Sequence, residues 1–358
     1  MNILVIGRFH EEAFGLHIAE TLESMDHKVI RFESGLKGSV PRTGVLKRWN
    51  DLKVAIYDIS QRIPAIRRLE ARELWLAAKE AGVDLTIVGH DHLMPTEVRE
   101  LKRLTGSPVV MWFPDHIGQF QRAYFLNADY DALFFKDPYI VHVLSRALSR
   151  PIYYLPECCN PRYHRAFDLS DEDLATYRCD VTTAGNMYSY RAAFFAQLSE
   201  FDVKIWGGAP PLWLNTKNVR KMMRNRFVTN EEKSKSFKAA SIVVNNLNPA
   251  EIWGINVRAF EIAGAGGFQL IDWRPGLTQL FEDGKEIVSF KSMDDLKRKI
   301  LEYLADDGRR AEIAERARIR AHGEHTYVHR LERLIATVQK KARGYPMPTV
   351  TCEAMNVR

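Results

Sequence analysis

Short apolar runs alternate with longer amphipathic ones from the first residue. Residues 2–6, 28–32, 84–88, 108–113, 132–135 and 152–155 pattern as strands, and the segments between them can hold helices. The alternation restarts at 180–184 and continues through 203–206, 242–245, 268–271 and 286–290. Strands that are apolar throughout and separated by helices predict parallel sheets covered on both faces. The expected fold class is therefore α/β, with one Rossmann-like sheet architecture used twice. Helical periods at 294–305, 308–321 and 326–342 close the chain. A polar stretch at 168–173 separates the two series, so the expected divisions are 1–165, 166–325, a final helix over 326–343 and a tail over 344–358.

Composition narrows the class. At 358 residues the chain can bury two cores, and 46% hydrophobic with 27% charged residues is the balance of a globular protein. No window of roughly 18 apolar residues offers a membrane span, and Glu11 and Glu12 follow the first strand too closely for a signal peptide. Cytoplasm is the expected location. Four cysteines without a C-x-x-C spacing predict reduced thiols, not a disulfide framework or a zinc site.

The formal charge of +6 is unevenly spread. Lys37, Arg42, Lys47, Arg48, Lys53, Arg62, Arg67, Arg68 and Arg72 are set against only Asp51, Asp58 and Glu70, with Trp49, Ile56, Ile59, Ile63 and Ile66 interleaved. Such a segment, 37–72, is either a solvated helix face or one that leans on a membrane or grips an anionic acceptor. It lacks the aromatic periodicity of a base-stacking surface, which disfavours nucleic acid as a partner.

Ligands of parallel sheets sit at the carboxyl ends of the strands, which selects the loops at 7–15, 89–92 and 114–119. The first, containing His10, is too long and too charged for the dinucleotide fingerprint G-x-G-x-x-G, so a nicotinamide dehydrogenase is disfavoured. The second offers His90, Asp91 and His92. In the third, Asp115 could take a proton from an acceptor hydroxyl, with His116 as rival or orienting partner; the alternative is an Asp capping a helix that begins near Ile117. In the second half, Gly185 and Asn186 leave room for a diphosphate that Arg191 could reach, and Trp206 could pack on a nucleobase or in the core. The run 254–267 predicts a short helix on which Arg258 and Glu261 share a face near the N-terminus. An anion seat, a cation and a carboxylate suit a diphosphate and its ribose. The plainer alternative is a surface ion pair followed by a glycine stop at Gly266 and Gly267.

The words Asn256-x-Arg258-x-Phe260-Glu261-Ile262, Gly266-Gly267-Phe268, Gly284-Lys285-Glu286 and His325-Thr326-Tyr327, with Trp112-Phe113-x-Asp115 before them, resemble the CgeB-type (spore maturation protein) glycosyltransferases of the GT-B superfamily. The resemblance spans 108–334 and is strongest after Cys179. It implies two facing Rossmann-like domains with the last helix returning to the first. It implies a nucleoside diphosphate sugar donor, such as a UDP-sugar, held by Gly185, Asn186, Arg191, Trp206, Asn256, Arg258, Glu261 and the Gly266–Gly267 backbone. A sugar, protein or small-molecule acceptor would sit near His90, Asp115 and His116. No metal or other cofactor is implied, because helix dipoles and basic side chains neutralise the leaving diphosphate; His322, His325 and His329 then pack instead of ligating.

One departure bears on stereochemistry. Retaining enzymes of the related large group usually carry two glutamates with seven residues between them. Here Glu251 and Glu261 have nine, and Ala259 fills the expected second position, so retention or inversion stays open. The same frame admits a sugar-nucleotide epimerase or a non-catalytic nucleotide-sugar-binding protein of surface assembly. Transfer to modified DNA is a lesser variant motivated by the positive charge.

Overall fold

The computed structural model describes residues 1–33, 44–60, 63–120, 123–211, 213–215 and 217–348. The chain separates into two compact units, Met1–Pro156 joined by Tyr327–Pro346, and Glu157–Thr326.

The first unit is built on β1 (Asn2–Gly7), β2 (Lys28–Glu33), β3 (Leu85–Val88), β4 (Val109–Phe113), β5 (Ala132–Phe135) and β6 (Ile152–Tyr154). Their order is β2-β1-β3-β4-β5-β6, and every pair is parallel. Ile3 sits opposite Val29 on one side and Leu85 on the other. Helices cover both faces, so β3, β4 and β5 are buried along their whole length and read as unbroken apolar runs. The order reverses between β1 and β3, which opens a crevice at their carboxyl ends.

The second unit repeats this plan. Its strands are β7 (Val181–Ala184), β8 (Val203–Trp206), β9 (Ile242–Asn245), β10 (Gln269–Asp272) and β11 (Val288–Phe290), in the parallel order β11-β10-β9-β7-β8. Here the reversal lies between β7 and β9.

The first boundary falls after Pro156 and not at 165, because the intervening residues bond within the second unit. Cys159 donates its N–H to the His325 carbonyl at 2.9 Å, and the Ser234 hydroxyl donates to the Tyr163 carbonyl at 2.9 Å. The helix Tyr327–Val338 belongs to the first unit. Its Tyr327 ring lies 6.1 Å from both Phe14 and Trp112. Arg330 is completely buried, donating through Nε to the Pro156 carbonyl at 2.9 Å and through Nη1 to the Tyr345 hydroxyl at 2.7 Å. His322 and His325 bond the backbone carbonyls of Gly264 and Leu280, which is a packing arrangement.

The basic segment carries two helices, Gly44–Ser60 and Pro64–Glu80. Lys37, Arg42 and Arg62 lie outside the described residues, as does 349–358 of the tail. Arg67 is turned inward, gripping both carboxylate oxygens of Glu97 at 2.7 and 2.6 Å and the His92 carbonyl at 2.6 Å.

Candidate functional site

The helix Val257–Ala265 starts at the crevice of the second unit. Asn256 caps it, accepting from the Ala259 N–H at 3.2 Å. The Asn256 amide also exchanges hydrogen bonds of 3.0 and 3.1 Å with Asn245 at the end of β9. Asn245 in turn accepts from Arg258 Nη1 at 3.3 Å, so the cap and its partner orient the guanidinium on the second residue of the helix.

Arg191 comes to the same place from the other side of the reversal. Its three nitrogens donate to Thr183 Oγ1 at 2.6 Å, to the Asn186 carbonyl at 2.9 Å and to Asn246 Oδ1 at 3.0 Å. Every one of these acceptors is neutral. Among the described residues neither Arg191 nor Arg258 forms an ion pair with a carboxylate. Burial, and then the adjacent Arg258 charge, lowers the Arg191 pKa well below its ordinary value; burial lowers Arg258 too, opposed by Glu261 and Glu251. Two like charges side by side, one buried and one half-buried, with no carboxylate in direct contact, are costly, and a bound anion would relieve both.

Gly185 is the floor beneath them. Its φ of +115° suits glycine alone, and a Cβ there would lie 2.8 Å from Arg258 Nη2 and 3.3 Å from Arg191 Nη1. Gly207 backs it from β8, so close that a Cβ at 207 would collide with the Gly185 carbonyl.

Glu261 is only 9% exposed, which removes the surface ion pair with Arg258 as an explanation. Its Oε1 is 2.9 Å from Lys233 Nζ and 3.6 Å from His164 Nε2. Two donor-site expectations need correction. Trp206 is 2% exposed, edge-on to Tyr177 and covered by the Arg226 guanidinium 5.0 Å from its ring, so it presents no face to a base. Gly266 and Gly267 sit at the far end of the nine-residue helix, about 13 Å from its start at 1.5 Å per residue. Gly266 ends that helix at φ +75°, and Gly267 packs against the Phe237 carbonyl.

The crevice of the first unit holds a cavity of about 340 Å³ lined by Arg8, His10, Phe14, His90, His92 and Asp115, among others. His90 Nδ1 lies 3.9 Å from Asp115 Oδ2. Burial lowers the His90 pKa to about 4, and the Arg8 charge adds to the shift, so the ring is neutral at physiological pH. Asp91 has a structural task, accepting from the Tyr124 and Phe125 N–H groups at 2.8 and 2.9 Å. The cap expected of Asp115 is made by His116 instead, whose Nδ1 accepts from the Gly118 N–H at 3.2 Å. His116 is thereby committed to the turn and does not line the cavity, so His90 is the imidazole that faces Asp115.

Sequence reasoning missed Thr183, Asn245 and Asn246, although all lie at or just past the carboxyl ends of the strands flanking the reversal. It also missed Lys233 and His164. Lys233 had a usable signal, being four residues before the buried Phe237 on one helix. His164 had none.

No curated protein matches the chain in sequence. Residues 191–336 match a family described as glycosyl transferase-like. Sucrose-phosphate synthase from Thermosynechococcus elongatus superposes with a TM-score of 0.63 at 13% identity, covering 96% of this chain and 100% of that one. HepE of Anabaena, solved in complex with UDP-glucose, gives 0.63 at 12% identity over 95% and 100%. A glycosyltransferase from Rickettsia africae gives 0.62 at 12% identity over 95% and 98%. Likeness at these identities is one of fold, and the fold is GT-B, with two Rossmann-like halves.

Proposed function

We propose that the chain is a glycosyltransferase of the CgeB type that moves a sugar from a UDP-sugar to a hydroxyl of a sugar, protein or small-molecule acceptor, without a metal. The carrying observation is the pair of guanidiniums, buried Arg191 and half-buried Arg258, over the bare backbone of Gly185. A diphosphate supplies the negative charge both lack. Glu261, held through one oxygen, has the other for the ribose hydroxyls. The choice of UDP rests on HepE, whose structure holds UDP-glucose.

In this reading Asp115 accepts the proton of the acceptor hydroxyl as its oxygen bonds the anomeric carbon. The bond from that carbon to the diphosphate oxygen breaks, and the charge left on UDP meets Arg191 and Arg258. Neutral His90 hydrogen-bonds the acceptor beside Asp115.

The test is thermal stabilisation by uridine, guanosine, adenosine, cytidine and thymidine diphosphates in the presence of a chelator. Stabilisation by UDP that Arg258→Met removes is the expected result; no shift with any of them overturns the proposal. UDP released from its sugar without any acceptor would favour the epimerase.

A further inference from the structure

The two helices of the basic segment leave an apolar stripe uncovered. On Gly44–Ser60, Trp49, Leu52, Ile56 and Ile59 recur at spacings of three and four residues, which places them on one helical face. Trp49 is 60% exposed, Ile56 58% and Ile59 61%. Ile63, 47% exposed, and Leu69, 67% exposed at the start of the next helix, are large apolar side chains left uncovered as well. Single exposed apolar residues are ordinary, but a contiguous run of large ones marks a surface that something covers.

The surrounding charge says what covers it. In sequence, 37–72 carries nine Lys and Arg against three Asp and Glu; among the described side chains Lys53, Arg68 and Arg72 are exposed, while Arg67 is turned inward to Glu97. A second copy of the chain would bring the same excess of cations to the interface and be repelled by it. An anionic lipid surface complements both parts, since phosphates take the cations while Trp49 and the isoleucines enter the headgroup boundary. Among the described residues no helix is long and apolar enough to cross a membrane, so such a contact lies along the surface.

We infer that the face formed by Gly44–Ser60 and the start of Pro64–Glu80 binds an anionic phospholipid bilayer. This inference is independent of sugar transfer. The test is co-sedimentation of the full chain with vesicles of phosphatidylcholine alone or mixed with phosphatidylglycerol. Binding to the mixed vesicles at least about tenfold tighter than to the neutral ones is expected. The Ile56→Glu/Ile59→Glu variant should lose binding to both, while Lys53→Glu/Arg72→Glu should lose only the preference for anionic lipid. Both variants alter exposed side chains, and an unchanged melting temperature and circular dichroism spectrum would verify their folding. Failure to bind mixed vesicles, or the same binding by both variants as by the unaltered chain, overturns the inference. So does a dimer in light scattering that Ile56→Glu/Ile59→Glu dissociates, because the stripe would then belong to a second copy.

Discussion

Lys233 Nζ lies 2.9 Å from Glu261 Oε1, on the oxygen that His164 Nε2 approaches at 3.6 Å. Both cations or hydrogen-bond donors therefore act on one oxygen, and among the described residues Oε2 accepts no hydrogen bond. The carboxylate is oriented before any ligand arrives. Lys233→Met removes the orientation and leaves a buried charge unpaired. Melting should report a loss of about 3 kcal/mol. Calorimetry should show UDP bound roughly tenfold more weakly, with little change for 2′,3′-dideoxy-UDP, a difference of about 1.4 kcal/mol confined to the ribose.

Among the described residues half-buried Arg258 makes a single long hydrogen bond, and it stands beside the buried Arg191 guanidinium. Arg258→Met should leave the ligand-free melting temperature unchanged or raised, since the repulsion it exerts on Arg191 is removed. Its kcat/KM for the donor should fall by about 10²–10³. A protein that lost stability and kept donor turnover would contradict the anion seat.

Gly185→Ala should act like a donor-site mutation without touching a charge. The added methyl meets Arg258 Nη2 at 2.8 Å, and φ of +115° strains any L side chain by about 1–3 kcal/mol. UDP stabilisation should be lost at nucleotide concentrations that saturate the unaltered chain.

The cavity of the first unit predicts a pH effect of definite sign. The His90 pKa is lowered to about 4 in the folded protein, against 6.5 for an ordinary imidazole. Between those values the unfolded chain binds the extra proton, so stability falls as pH drops from 6.5 towards 4. The full loss is at most about 3 kcal/mol, reduced by solvent at the 27% of the side chain left exposed. His90→Gln should flatten that part of the melting profile. Asp115→Asn should cut kcat by about 10²–10⁴ while UDP affinity stays unchanged.

The strands were legible because burial on both faces writes them as continuous apolar words; β4, Val-Val-Met-Trp-Phe, could be little else. Arg258 and Glu261 were legible because one helix spacing joins them. His164 was not, since the fold brings it to Glu261 from a distant segment, and Lys233 was marked only by its spacing from Phe237 on a helix, Asn230–Ala239, that otherwise reads as polar surface. Trp206, Gly266 and Gly267 show the converse. Their residue types suit a ligand, but side-chain burial at one and helix polarity at the others decide against it. His116 and not Asp115 caps the turn after β4, because a turn of three residues selects its cap by local geometry, which neighbouring polar residues cannot announce.

Arg330 reaches back to the Pro156 carbonyl, and Tyr327 packs beside Phe14 and Trp112. During synthesis the sheet of the first unit must therefore wait, with that patch of its core open, until the whole second unit and the helix Tyr327–Val338 have left the ribosome. A chain cut after Pro156 would expose the same patch permanently, and truncation from the carboxyl terminus would injure the end of the molecule made first.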